Sequence, residues 1–305
     1  MNILITGAGG FIGTALRNYL KSHQPSVKVL GVVKSRSRST VIHGDLNDEN
    51  KVREILIRTQ PQIIFHLAGG RPADEGMLWQ ANMIPTQVLL NAVAQLKKTK
   101  RINSVIVIPG SAAEYGQMRS KRPISETTTP EPLARYGFVK YMQTTLGLLY
   151  ARQGLDVRVA RIFNVCGYGT PSFLALGHFA QKIVQMERKK QLLSFKVGNL
   201  KGRRDFLDIE DVCAALWAVA RRGKRGEVYN VCSGKASHLR LLLRRLIGYS
   251  TVKNIKVSEE RKAHSASFDS VGSSAKIKRA TGWRPRVHLD ESLKNTLRYY
   301  REQAR

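Results

Sequence analysis

Residues 6–13 read TGAGGFIG and follow directly on the apolar run NILI at 2–5. Glycines at 7, 10 and 13 give GxxGxxG between a strand-like run and a helix-like one. Each glycine has a physical task at such a junction. Gly7 permits the tight turn, Gly10 lets backbone approach a pyrophosphate, and Gly13 lets the helix pack closely on the sheet. The first NH groups of the helix and its positive dipole end then face the phosphates. The pattern predicts a dinucleotide site, with Phe11 and Ile12 in the same turn.

Outward from this turn, β-branched runs recur at 27–33, 41–45, 63–69, 104–110 and 157–163. Helical patterns at 11–22, 50–59, 80–98 and 134–153 separate most of them. Strands apolar on both faces, alternating with helices, predict an α/β fold: a Rossmann-type, doubly wound parallel sheet. After Asn164 the pattern becomes irregular, then continues with a helix at 210–222, a strand at 227–231, a helix near 237–248 and a last amphipathic helix after GWRP (282–285). The predicted dinucleotide-binding domain is 1–165 with parts of 205–235. Residues 166–204 and 236–305 are expected to form a smaller substrate-binding lobe at the carboxyl ends of the strands, where open α/β sheets bind ligands.

The hydrophobic fraction of 42% and charged fraction of 24% are ordinary for a soluble globular chain of 305 residues. No apolar run approaches a membrane span, and Met1 leads straight into a strand, so neither a signal peptide nor a membrane helix is expected. Cys166, Cys213 and Cys232 lie far apart without metal-ligand spacing, which suits a reduced, cytoplasmic protein with no metal. The excess of 51 Lys+Arg over 22 Asp+Glu is unusual, but it is scattered and accompanied by no nucleic-acid motif. A solvated basic surface that binds nucleic acid only nonspecifically at low salt accounts for it.

The end of the second strand bears on cofactor choice. A carboxylate there binds the ribose 2′-hydroxyl of NAD and repels a 2′-phosphate. No Asp or Glu precedes Asp45, whereas Lys34, Ser35, Arg36, Ser37 and Arg38 follow the strand. NADP(H) is therefore favoured and NAD(H) still admitted, with Asp45 and Leu46 placed toward the adenine. Farther along, YGFVK (136–140) puts Tyr136 and Lys140 one turn apart on one helix face. A phenol of reference pKa about 10 is too weak an acid near neutrality. A neighbouring ammonium and a positive nicotinamide are expected to lower it. Lys140 can also reach the nicotinamide ribose, and Ser111, at a strand end, can hold a substrate oxygen against the phenol.

With TGAGGFIG, GDL (44–46), HLAG (66–69), SAAEYG (111–116), YGFVK, RIFNVCG (161–167), RRDFLDIEDV (203–212), YNVCSG (229–234) and GWRP, the chain resembles the extended short-chain dehydrogenases over essentially its full length. These are NAD(P)-dependent epimerases, dehydratases and reductases of sugar nucleotides. The resemblance implies Ser111, Tyr136 and Lys140 as catalytic positions and adds Leu67, Ala68, Gly69 and Ile162 to the cofactor site. The segments around 197–212 and 228–234 look most like the branch acting on GDP-sugars. That implies substrate contacts from Ser111, Asn164, Asn199, Arg204 and Arg261, the two arginines on the diphosphate. A homodimer pairing helices 80–98 and 134–153 in a four-helix bundle is also implied, ordinary core helices being the alternative.

The chain departs from the family pattern at AGGR, where Arg71 is unexplained, at RKAH (261–264) and at Gly272-Ser273. These changes leave the nucleoside open. Dehydratases of this branch carry a glutamate two residues beyond the catalytic Ser or Thr; here that residue is Ala113. Glu114, one further along, is expected to point to the opposite side of an extended segment. Simple 4-keto reduction of a 6-deoxy sugar is thus expected, with Tyr136 as general acid. An epimerase or 4,6-dehydratase of the same family, and a noncatalytic dinucleotide-binding regulator, stay as alternatives.

Overall fold

The computed structural model describes every residue except 35–40, 73, 118–121, 190–193, 199, 201, 253–254, 260–268 and 305. Its strands are β1 (Asn2–Thr6), β2 (Lys28–Val33), β3 (Val41–His43), β4 (Ile63–His66), β5 (Val105–Ser111), β6 (Asp156–Ile162), β7 (Asn164–Cys166), β8 (Ser194–Val197), β9 (Arg203–Asp208), β10 (Val228–Val231), β11 (Ala236–His238) and β12 (Lys256–Glu259). Its helices are α1 (Phe11–His23), α2 (Glu49–Thr59), α3 (Leu78–Lys98), α4 (Arg135–Arg152), α5 (Ala175–Lys189), α6 (Ile209–Arg222), α7 (Leu239–Gly248), α8 (Ala275–Thr281) and α9 (Leu289–Gln303).

Seven parallel strands in the order β10-β6-β5-β4-β1-β2-β3 form the main sheet, the Rossmann-like arrangement predicted. Alternation along β1 divides the core. Ile3 and Ile5 pack with α1 and α6 residues such as Leu16, Leu20, Val212 and Leu216, while Leu4 packs on the other face with Ile55, Leu89 and Val93. The strand order reverses between β1 and β4, where Thr6 and His66 are register partners. A ligand crevice opens beyond the carboxyl ends of strands at such a reversal.

A third core gathers α5, α7 and α9 around Leu176, Ile183, Leu243, Leu246, Leu293 and Leu297. Beside it lie the sheets β11-β9-β7 and β12-β8. The buried Asp205 carboxylate accepts hydrogen bonds from the Ser233 and Gly234 amides, the Ser233 hydroxyl and the Gly272 amide, tying β9 to the segments after β10 and before α8.

Two local expectations change. The run predicted as strand through Gly69 ends at His66, because Gly69 (φ +111°) and Gly70 (φ +136°) turn the chain away. The segment after Ser111 is a 3-10 turn, Ala112–Tyr115, rather than extended chain. Among the described residues no helix is long and apolar enough to cross a membrane. All three cysteines are buried free thiols.

Candidate active site

The opening turn has the close contacts its glycines foretell. Gly7 sits at φ +66°, and a Cβ there would lie 2.6 Å from the Leu67 and Ala68 backbone. A Cβ on Gly13 would meet the Gly7 carbonyl at 2.2 Å. Gly10 is the N-cap of α1 and provides no side-chain cap, and the first turn holds no acid. The leading NH groups of α1, from Phe11, Ile12 and Gly13, therefore offer donors and a positive dipole end to an anion. The Ala68 amide donates to Thr6 Oγ1 at 3.2 Å, fastening the β4 exit to the same turn. These residues fit a dinucleotide. At the second strand, Lys34 Nζ lies 3.2 Å from Asp45 Oδ2, both side chains exposed. The Asn47 amide and then Lys34 hold the Asp45 carboxyl below its ordinary range. Leu46 is partly buried against the β2–α2 side of the core. Arg36, expected in this cluster, lies outside the described residues.

Ser111 ends β5 in register with Ile162 of β6. Its hydroxyl accepts from the Ala113 amide at 3.2 Å and shares a hydrogen bond with the Tyr136 hydroxyl. The half-buried Tyr136 stands at the start of α4. Burial pushes its phenol above the ordinary value; the Ser111 bond and the charge of Arg71 act in the opposite direction, and Glu114 acts with burial. The expected lowering is thus reversed. Lys140, one turn on, directs its buried ammonium to Gln143 Oε1 instead of the phenol. Burial draws Lys140 down to about 8, opposed by Glu114.

Sequence reasoning missed the two polar networks that flank this tyrosine. On one side His66 Nδ1 lies 2.9 Å from Thr6 Oγ1, and Nε2 lies 2.9 Å from Thr86 Oγ1. Thr86 donates to the Asn82 carbonyl and accepts from Gln143 Nε2 at 2.7 Å. A neutral His66 protonated on Nε2 satisfies each of these partners. Burial, with Lys140 nearby, takes its pKa down to about 3.

On the other side, Glu114 is fully buried. It accepts from the Ser111 amide (2.7 Å), Thr144 Oγ1 (3.1 Å), Arg161 Nε (2.8 Å) and an Arg161 Nη (2.7 Å). The extended-chain expectation for Glu114 fails because the 3-10 turn folds its side chain back onto the Ser111 amide, closing a capping box. Burial raises the Glu114 carboxyl while Arg161 opposes it. Arg161 also stacks over Tyr115, 4.5 Å from the ring centre, and Tyr115 donates to Asn230 Oδ1 at 2.7 Å.

Of the expected substrate contacts, Asn164 and Arg204 lie on the paired strands β7 and β9. Asn164 Nδ2 donates to the Asp205 carbonyl at 2.9 Å, and the half-buried Arg204 donates to the Arg203 carbonyl at 3.2 Å. Asn199 and Arg261 lie outside the described residues.

Residues 3–232 match the family model described as the NAD dependent epimerase/dehydratase family. The chain belongs to that family. Within the epimerase/dehydratase family it is 28% identical to GDP-6-deoxy-D-mannose reductase of Pseudomonas aeruginosa, over 99% of this chain and 98% of that one. It is 29% identical to GDP-6-deoxy-D-talose 4-dehydrogenase of Aggregatibacter actinomycetemcomitans, over 77% and 75% of the two chains. Among solved structures, RMD from Pseudomonas aeruginosa complexed with NADPH is similar at a TM-score of 0.87 and 27% identity, over 99% of each chain. The resemblance expected from the sequence is therefore shown, and with it an enzyme family whose members include sugar-nucleotide reductases, dehydratases and epimerases.

Proposed function

We propose that the protein is an NADPH-dependent reductase of a nucleoside-diphosphate-linked 4-keto-6-deoxy sugar, with GDP the favoured nucleoside diphosphate. The observation that carries this reading is the Ser111–Tyr136 hydroxyl pair at the end of β5, on the sheet whose opening turn fits a dinucleotide. The likeness to a reductase and to a structure holding NADPH supports it. The reduced nicotinamide, when bound, would supply hydride to C4. Ser111 orients the carbonyl oxygen. Tyr136 breaks its O–H bond and gives the proton to that oxygen as it gains negative charge, leaving a phenolate that solvent reprotonates. Gly7, Gly10, Phe11, Ile12 and Gly13 hold the pyrophosphate, Lys34 reads the ribose phosphate, and Arg204 takes a substrate phosphate.

Reduction is favoured over dehydration by Glu114. Expelling a C6 hydroxyl needs a positioned acid or base. Ala113 offers neither, and Glu114 is engaged by Arg161 and the Ser111 amide beneath the site. We further propose a homodimer through α3 and α4, which leave Trp79, Phe138 and Leu149 exposed, and a cytoplasmic location.

NADPH oxidation dependent on a GDP-linked 4-keto-6-deoxy hexose is the test. Tyr136→Phe is expected to lower kcat by about 10²–10⁴-fold, the usual worth of a general acid, while thermal unfolding stays in place. Full activity in that variant would remove Tyr136 from the mechanism. A thermal-shift panel of nucleoside diphosphates identifies the base, since a ligand bound only by the folded chain raises apparent stability.

A further inference from the structure

Arg71 belongs to none of the roles assigned above, yet the fold fixes its place. The two glycines before it have positive φ, and a Cβ on Gly69 would lie 2.6 Å from Asn82 Oδ1. Asn82 clamps the loop at Gly70, accepting from its amide at 2.9 Å and donating to its carbonyl at 2.8 Å. The same Asn82 side chain donates to the Leu78 carbonyl at 2.9 Å, so the loop is bonded to the first turn of α3. Leu78 in turn belongs to the apolar cluster, with Met83 and Val139, against which Tyr136 packs. One platform, the start of α3, thus positions both the residue before Arg71 and the ring of Tyr136.

We propose that Arg71 is a positioning residue for charge: from the loop after β4, its guanidinium supports the phenolate that Tyr136 becomes when it gives up its proton. This rests on the reading of Tyr136 as general acid. The charged groups around that phenol come from three elements. Glu114 below the end of β5 opposes ionisation, Arg71 favours it, and Lys140 on α4 is engaged with Gln143. Arg135, the preceding residue, is exposed. Arg71 itself pairs with Glu75 at 2.8 Å, with side chains 59% and 44% exposed. A surface pair of this kind contributes little to stability, so Arg71 can be altered without unfolding the protein. Glu75 moderates it: the carboxylate partly cancels the field the guanidinium exerts on the ring.

The test is a spectroscopic pH titration of phenolate absorbance in the full-length protein without substrate. Ten tyrosines titrate together, so the curve for Tyr136→Phe is subtracted to isolate Tyr136. Arg71→Gln is expected to move that midpoint upward by about half a pH unit to one unit. Arg71→Lys keeps most of the wild-type position, and Glu75→Gln moves it downward. In turnover, the alkaline limb of kcat/KM for reduction moves upward in Arg71→Gln by the same interval, because the protonated phenol is the active form. A midpoint in folded Arg71→Gln that coincides with wild type overturns the inference. So does a shift of the same sign in Glu75→Gln, which would indicate a general rearrangement of the loop. If Tyr136→Phe keeps its activity, the general-acid reading fails while the titration still reports whether Arg71 acts on the ring.

Discussion

The two polar networks beside Tyr136 solve the burial of charge in opposite ways. On the β5–β6 side, Glu114 and Arg161 are both buried and bonded through two guanidinium nitrogens. The carboxylate is further satisfied by a backbone amide and a threonine hydroxyl. On the β4–α3–α4 side, His66, Thr86 and Gln143 form a neutral chain that ends at one ammonium, Lys140. A matched pair largely offsets its own desolvation through attraction and hydrogen bonds, whereas an ammonium facing only an amide oxygen does not. The first network is therefore a rigid floor under Ser111. The second keeps its lysine near its titration point, where a change in nearby charge alters its protonation.

The largest expected effect breaks the matched side. Glu114→Ala leaves Arg161 as an uncompensated buried charge and is expected to cost about 3–5 kcal/mol of unfolding free energy. A double replacement, Glu114→Leu with Arg161→Met, is expected to regain most of that loss, because no unpaired charge remains. Urea unfolding of the single and double variants measures both. Additive losses in the double variant would mean that the pair has no coupling to report.

The lysine side yields a smaller effect that depends on pH. Lys140 has a folded value of about 8 against a reference of 10.5. Between those values the unfolded chain holds more protons than the folded one, so unfolding free energy rises with pH and levels off outside the window. The rise attributable to Lys140 totals about 3 kcal/mol, at about 1.4 kcal/mol for each pH unit that separates the folded and unfolded values. Lys140→Met is expected to flatten that part of the curve, read as the difference from wild type across the window. An unchanged slope would show that the ammonium is not desolvated as its surroundings require.

The legible parts of the chain were those whose physics is local. The glycine turn needs only a strand, a tight bend and a helix, and all three were readable within 13 residues. The strand runs declared themselves by being apolar on both faces, as parallel strands must be. Glu114 was misjudged although its signal was present: Ser111-Ala-Ala-Glu114 has the S-x-x-E spacing of a capping box. Treating the segment as a continued strand hid it. Arg161 could not be assigned to Glu114 from sequence, because 47 residues separate them and β5–β6 pairing brings them together. The same holds for His66 and Thr86, which meet only when α3 packs beside β4. Expectations about the phenol failed on magnitude: the cations were foreseen, and the depth of burial that outweighs them was not.

The smallest effect lies at the exposed edge, where the contrast with the buried pair is greatest. Lys34 and Asp45 are solvent-exposed, with side chains 76% and 46% accessible. Lys34→Ala is expected to change unfolding free energy by no more than about 0.5 kcal/mol, since solvent screens such pairs and ordering a long side chain offsets their attraction. The Asp45 carboxyl is held down first by the Asn47 amide and only then by Lys34. Its stabilising contribution is present above the ordinary carboxylate range and fades as pH falls through the folded value. Most of that acid dependence is expected to persist in Lys34→Ala. If Lys34 reads a ribose phosphate, the same substitution raises KM for NADPH several-fold while leaving KM for NADH unchanged, because only the phosphate loses a partner. Equal changes in the two constants would place Lys34 at the rim as a solvated charge, and would leave the cofactor's identity to other residues.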